Sequence, residues 1–488
     1  MTAPTAQFVT TIGLEIHVEL KTKTKMFCGC PVAFGGEPNT RVCPICLGHP
    51  GTLPVPNEVA IELTNRIGMA LDCEIAPRSI FHRKNYFYPD MPKNYQISQY
   101  DIPIGSRGSL EIEVGGESRK IGITRVHLEE DTGKSVHVGG GGRIREAEYS
   151  LEDFNRAGTP LVEIVTEPDI TSAEEARVFA QELRSILEFL DVSDVRMEEG
   201  SLRVDANISV EVPGRSGTKV EVKNMNSMRS VFRALEFEEE RQRNALMNEE
   251  ELVQMTRHWD EKSGVTIPGR VKEYAFDYRY FPEPDLTPIE PSIEWLRQLQ
   301  EELPELPIAK RKRWMEALGL GPYDAQVLTS SRAVSDFFEE TLEAVKTATP
   351  KQAANWVANN LAGALSDRGE RFSDLKVTPS HFAELMDMLA SGEINASQGK
   401  EILSAMLLQG ASPGVIAEER DMRQVSDRGE LEAVADEVIS NNAEVADRIR
   451  AGDMKPFGVL VGAVMRATQG KANAAVVTEI LKEKLGAS

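Results

Sequence analysis

The stretch Ile123 to Asp169 crowds His127, Glu129, Glu130 and Asp131 together, adds Lys134, and goes on to present Asp153, Asn155, Arg156 and Glu163. Adjacent carboxylates repel unless a cation compensates them, and hard divalent cations take oxygen ligands. The plainer alternative is a solvated acidic turn. A second set stands near the start, in TIGLEIHVEL (residues 11–20), where Glu15, His17 and Glu19 alternate with Leu14, Ile16 and Val18. A Glu and a His two residues apart on one strand face can reach a single ion or substrate; an ordinary exposed strand face is the alternative. The third set is sulfur: Cys28-x-Cys30, twelve residues, then Cys43-x-x-Cys46. Two short knuckles of this kind can hold zinc tetrahedrally, with His49 able to replace one sulfur. Four thiolates leave no open position, so such an ion is structural.

One familiar pattern is excluded. Gly133-Lys134-Ser135 looks like the end of a phosphate-binding loop, but Leu128 holds the place where that loop needs its first glycine. Residues 82–104 interleave Arg83, Lys84 and Lys93 with Tyr86, Phe87, Tyr88, Tyr95 and Tyr100 in a proline-punctuated loop. That mixture suits phosphate and base contact, and equally a loop stapled by aromatic packing. Glycines 139–142 read as a turn.

The elements that must carry these residues follow from periodicity. Residues 11–20 and 201–212 alternate as half-buried strands, the second presenting Arg203, Asp205, Asn207 and Ser209; KVEVKNMNS continues in that style. Helical spacing runs from Ser172 to Leu190, and a long charged helix is expected over about 227–257. Cys73 is expected in the core, on a helix begun near Asn57. DYRYFPEPDL (277–286) closes a first, mixed unit of residues 1–291. Residues 292–408 then read as an all-helical domain and 409–488 as a helical tail. Lys455, Arg466, Lys471, Lys482 and Lys484 give that tail a basic patch, or simply snorkelling lysines on amphipathic helices.

The chain has 488 residues and a formal net charge of -22, which repels bulk nucleic acid except at a local basic patch. No apolar run approaches the roughly 20 residues of a membrane helix. The start lacks a basic region followed by an apolar one, so no secretory signal is read there and a cytoplasmic setting is expected. Four of five cysteines within residues 28–46 of such a chain favour metal over disulfides.

GLEIHVEL, RKNYFYPD, YQISQ, HLEED-x-GKS, FNRAGTPL, VRMEEGSLRVDANIS, DYRYFPEPDL and the FGVLVGAVM…GKAN tail, taken together, resemble the B subunit family of the bacterial aspartyl/glutamyl-tRNA amidotransferase over essentially the whole length. The resemblance implies an α+β architecture: a mixed α/β cradle with the zinc knuckle at 28–46, a helical domain, and a tail that holds tRNA. It implies a ligase that uses ATP and Mg²⁺ to phosphorylate the side-chain carboxylate of misacylated Glu-tRNA(Gln) or Asp-tRNA(Asn). Ammonia from a partner amidase (A) subunit then gives Gln-tRNA(Gln) or Asn-tRNA(Asn), and a small C subunit supports the assembly. Glu15, His17 and Glu130 match the family's metal positions, with Glu129 beside them. Lys84 matches a basic pocket position, with Tyr86 and Arg156 nearby for the nucleotide. Asp153, Asn155, Asp205 and Asn207 would form the pocket wall. A non-catalytic tRNA-binding scaffold is the alternative in another class, distinguished by ATP consumption that ignores Glu130→Gln and His17→Ala. A zinc hydrolase is disfavoured by the closed four-thiolate set.

Overall fold

The computed structural model describes residues 8–139, 147–269, 278–422, 428–468 and 472–486. Two compact units divide the chain, Met1–Leu306 and Pro307–Ser488. The glycines at 140–142, Lys471, Asp277 and the first seven residues lie outside the described residues.

The first unit is built on a nine-stranded mixed sheet. Its four central strands are β1 (Val9–Glu19), β2 (Glu117–Glu130), β3 (Pro160–Thr166) and β4 (Leu202–Glu211), lying side by side in the order β4-β1-β3-β2, all antiparallel. Alternation decides what each face carries. In register, Ala206 meets Leu14, Val204 meets Ile16, Val18 meets Val162, and Val162 meets Leu128, giving one apolar face whose members are all buried. The helices Ala173–Phe189 and Met228–Met247 pack against the sheet and each other. The first starts on Ser172, whose side chain accepts from the Glu175 amide, at the cap its sequence calls for. The other helix stops ten residues short of the expected 257: Asn248 caps it and Glu249 turns left-handed at φ 58°. The chain then re-enters the sheet as strand Thr256–Asp260.

Residues 82–104 are more than a loop. His82–Asn85 and Tyr95–Ser98 pair as antiparallel strands, and Phe281–Pro282 joins them as a third. The helix Glu58–Ala70 starts on the Asn57 cap but ends before Cys73, which is half-buried just past it. Cys73 packs where strand Gly105–Val114 has no side chain: a Cβ at Gly108 would collide with the Cys73 sulfur and the Leu71 carbonyl.

Among its described residues the second unit has helices and no strand. Its apolar residues form two clusters. One gathers Trp314, Phe338, Phe382, Leu385, Met406 and Ile416, so the helix Pro413–Glu419 packs with the helices before it. The other gathers Leu431, Ile449, Leu460, Val464, Ile480 and Leu481. Of the tail's basic residues, Lys484 is engaged by Asp436 at 2.7 Å. Among the described residues no helix is long and apolar enough to cross a membrane.

Candidate functional site

The other face of the central sheet is polar, and register assembles it row by row. Arg203 of β4 stands opposite His17 of β1, His17 opposite Glu163 of β3, and Glu163 opposite His127 of β2. One row along, Asp205 stands opposite Glu15. Glu129 shares the face with His127, two residues before it.

His17, Glu129 and Glu163 each bring one ligand atom within 4.8 Å of the others. His17 Nε2 lies 3.5 Å from Glu163 and 4.0 Å from Glu129; His127 Nε2 lies 3.3 and 3.4 Å from the same two carboxylates. Leaving a buried carboxylate without a partner costs several kcal/mol, so these contacts are needed to keep the acids ionised. Burial would raise Glu163, but His127 and His17 outweigh it and hold the carboxyl well below its usual range. Glu129 is lowered the same way: burial opposes, and His127 with Lys84 prevails. Burial works against the charged form of His127, yet Glu163 and Glu129 raise it to about 9. His17 is raised as well, with Glu163 overcoming burial.

Lys84, on strand His82–Asn85, is half-buried with its ammonium 5.0 Å from the centre of the Tyr278 ring. Burial would lower its pKa; Glu129, Tyr280 and Glu163 raise it instead, so the cation persists beside the two acids. Tyr86 packs edge-on against Tyr278, and Tyr280 stacks on Tyr100 at 4.4 Å. At the far end of the rows Asp131 accepts from Arg203 at 2.8 Å and lies 3.5 Å from Arg156, which also donates to the carbonyls of Thr132 and Gly133. Glu19 sits in that group and is pushed up to about 7 by burial and Asp131, against the two arginines.

The structure does not bring Glu130 to Glu15 and His17. Alternation puts it on the side of Leu128, where Lys93 Nζ and the Ile97 amide (3.0 Å) take one carboxylate oxygen. There it lines a cavity of about 100 Å³ with Lys25, Cys28, Cys46 and Gly158. Glu129, its neighbour, is the residue that faces His17. Glu15 shares the polar face but is held by Asn207 Nδ2 at 2.8 Å, while Asp205 is paired to Lys223. Asp153 and Asn155 do not reach this face. Their oxygens accept from the amides of Asn39 and Arg41, and Asn155 Nδ2 donates to the Glu37 carbonyl, clasping the segment between the two cysteine pairs. Sequence reading counts Glu163 among the polar residues of its stretch but not among the metal ligands, although one signal is present: a lone charge inside PLVEIVT must find buried partners.

The four sulfurs of Cys28, Cys30, Cys43 and Cys46 also converge within 4.8 Å. A zinc tetrathiolate has sulfur–sulfur edges of roughly 3.8 Å; Cys43 and Cys46 are 3.9 Å apart. Lys25, 1 % exposed, places its ammonium 3.7 Å from the Cys46 sulfur and bonds the Phe154 carbonyl at 3.1 Å. A cation there suits a doubly negative metal–thiolate centre. Cys46 is drawn down to about 4, first by Cys28, which is itself pushed up. The donor set fits zinc, as the two carboxylates and one imidazole of the sheet face fit a harder divalent ion such as Mg²⁺ or Mn²⁺.

A mixed sheet with one polar face, joined to a helical C-terminal region, defines an α+β protein. A family model described as the GatB/GatE catalytic domain matches residues 10–297, and one described as the GatB domain matches residues 336–485. The B subunit of the aspartyl/glutamyl-tRNA(Asn/Gln) amidotransferase of Carboxydothermus hydrogenoformans is 47% identical over 98% of this chain and 99% of its own length. The corresponding Moorella thermoacetica protein is 49% identical over 98% of this chain and 100% of its own length. That of Frankia casuarinae is 50% identical over 99% and 97%. The chain belongs to the GatB family.

Proposed function

We propose that this chain carries the ATP-dependent step of a tRNA-dependent amidotransferase, acting on the side-chain carboxylate of Glu or Asp misacylated on tRNA(Gln) or tRNA(Asn). The observation that carries the reading is the meeting of His17, Glu129 and Glu163 beside the Lys84 cation, inside the stretch matched as a catalytic domain. A carboxylate is a poor acyl donor because oxide is a hopeless leaving group. Attack by its oxygen on the γ-phosphorus of ATP breaks the bond to the β-phosphate bridge, releases ADP and leaves an acyl phosphate. Ammonia then attacks the acyl carbon, loses a proton, and phosphate departs with the C–O bond electrons.

Such transfer needs mainly positioning and charge neutralisation. Lys84 neutralises phosphate oxygens from above the sheet. His17, Glu129 and Glu163 would hold Mg²⁺, which would supply further neutralisation at the transferring phosphoryl group. Tyr86, Tyr278 and Tyr280 exclude water from one side of Lys84, and Arg203 with Arg156 balances the acids at the other end. Cys28, Cys30, Cys43 and Cys46 would hold a structural zinc that keeps the 28–46 knuckle clasped to residues 153–156.

In this reading an amidase subunit supplies ammonia and a small third subunit completes the assembly; the relatives this chain matches are themselves named as one subunit of an amidotransferase. Residues 1–291 form the catalytic portion in this reading, the helices that follow through Pro413–Glu419 a helical domain, and those from Arg428–Asn441 onward the tRNA-holding tail. The test is ATP consumption by the assembled complex. It should require misacylated tRNA, and amidation with added ammonium should survive inactivation of the amidase subunit. ATP use unaffected by Glu163→Gln and His17→Ala would leave only a tRNA-holding scaffold.

A further inference from the structure

Two histidines flank the same pair of carboxylates, and they are not equivalent. His17 keeps 20% of its side chain exposed, whereas His127 keeps 4%. A ring so deeply placed does not meet substrate. It meets the acids: Nε2 lies 3.4 Å from Glu129 Oε2 and 3.3 Å from Glu163 Oε2. Its Nδ1 is buried and has no hydrogen-bond partner among the described residues. Ser98 Oγ donates at 2.8 Å to the same Glu129 Oε2. That oxygen therefore has two donors behind it, while Glu129 Oε1 is the one that faces His17.

Sheet register makes this arrangement obligatory. His127 is the cross-strand partner of Glu163 and lies two residues from Glu129 on the same strand face, so its ring stands between both acids. Two neighbouring carboxylates repel and would turn apart before an ion arrives. A shared N–H donor offsets that repulsion and locks both rotamers in advance.

We propose that His127 is a positioning residue: its Nε2–H, with Ser98, holds Glu129 and Glu163 from the buried side so that Glu129 Oε1, Glu163 Oε2 and His17 Nε2 take a divalent cation from the open side, while Arg125 stands 3.6 Å from Glu163 Oε1. The proposal rests on the reading of His17, Glu129 and Glu163 as a cation site. Glutamine in place of His127 keeps an N–H donor near the Nε2 position, whereas leucine fills the volume and donates nothing.

Mn²⁺ binding to the full-length chain, followed by electron paramagnetic resonance, tests this without reference to turnover. His127→Leu should weaken Mn²⁺ binding about 10- to 100-fold, and His127→Gln should stay within about threefold of the natural chain, as expected for a partner outside the ligand shell. Ser98→Ala should give a smaller loss. Electron spin-echo modulation should find one directly bound imidazole nitrogen, from His17. In the complex, His127→Leu should raise the Mg²⁺ concentration needed for half-maximal ATP use, with kcat recovered at saturating Mg²⁺. Unchanged Mn²⁺ affinity in His127→Leu, equal losses in Leu and Gln, or two bound imidazoles would each overturn the proposal. Mn²⁺ binding indifferent to Glu163→Gln would instead overturn the cation site itself, and the proposal with it. Should His127→Leu not fold, the Gln and Ser98→Ala variants and the imidazole count in the natural chain still decide the matter.

Discussion

The cysteine knuckle and the polar sheet face both gather metal-type ligands, but they gather them from opposite distances. Cys28, Cys30, Cys43 and Cys46 come from one short segment, and local turns bring their sulfurs within 4.8 Å. His17, Glu129 and Glu163 come from three strands, and only the pairing β1-β3-β2 makes them neighbours. The knuckle is tied down by backbone contacts and one buried lysine; the sheet face is held by mutually compensating charges. A local site can be built with every ligand position closed. A cross-strand site keeps an open side, as chemistry requires.

That contrast can be broken by mutation. Glu163→Gln or His17→Ala should lower tRNA-dependent ATP use per folded molecule of the complex by about 100-fold or more, beyond what loss of an outer partner costs. Cys43→Ser should do the reverse, lowering the melting temperature by roughly 5–10 °C while folded protein keeps most of its activity, because zinc binding is folding energy. Calorimetry and steady-state assays on the same preparations check both. If the two sets of variants behave alike, the division between a structural and a chemical site fails.

Acidity sharpens the comparison further. His127 is raised to about 9 in the fold against about 6.5 when unfolded, so its stabilising contribution is whole below about 6.5 and is lost as pH climbs through 9. Urea midpoints of the metal-free chain should therefore fall between pH 6.5 and pH 9.5, and His127→Gln should flatten that slope. Glu130→Gln should leave Mn²⁺ affinity within about threefold, since no ligand or outer partner is removed. A loss as large as that from Glu163→Gln would restore Glu130 to the ion. The smallest effect is expected far from either site: Gly108→Ala should destabilise by about 1–3 kcal/mol through its collision with Cys73, leaving ATP use per folded molecule unchanged.

Much of this was legible in the chain. Strand β1 declares itself by strict alternation, and Glu15 and His17 fall on the polar face that alternation assigns them. The cysteine spacing announces a knuckle because turn geometry is local. What sequence could not settle is which of two adjacent acids, Glu129 or Glu130, faces His17: a one-residue difference flips the side chain to the other face, and only register decides it. The place of Glu163 beside His17 and Glu129 is hidden for a related reason. Its strand is buried on both faces, so the alternating signal that exposes β1 is missing. Asp153 and Asn155 look like pocket residues by type, yet their short side chains satisfy backbone amides of the knuckle instead.

The account stands most directly on where a divalent ion binds. Anomalous diffraction from crystals of the complex soaked in Mn²⁺ should give a peak between His17 Nε2 and the carboxylates of Glu129 and Glu163. A peak beside Glu130 and Lys93, or none on the sheet face at saturating Mn²⁺, would contradict it.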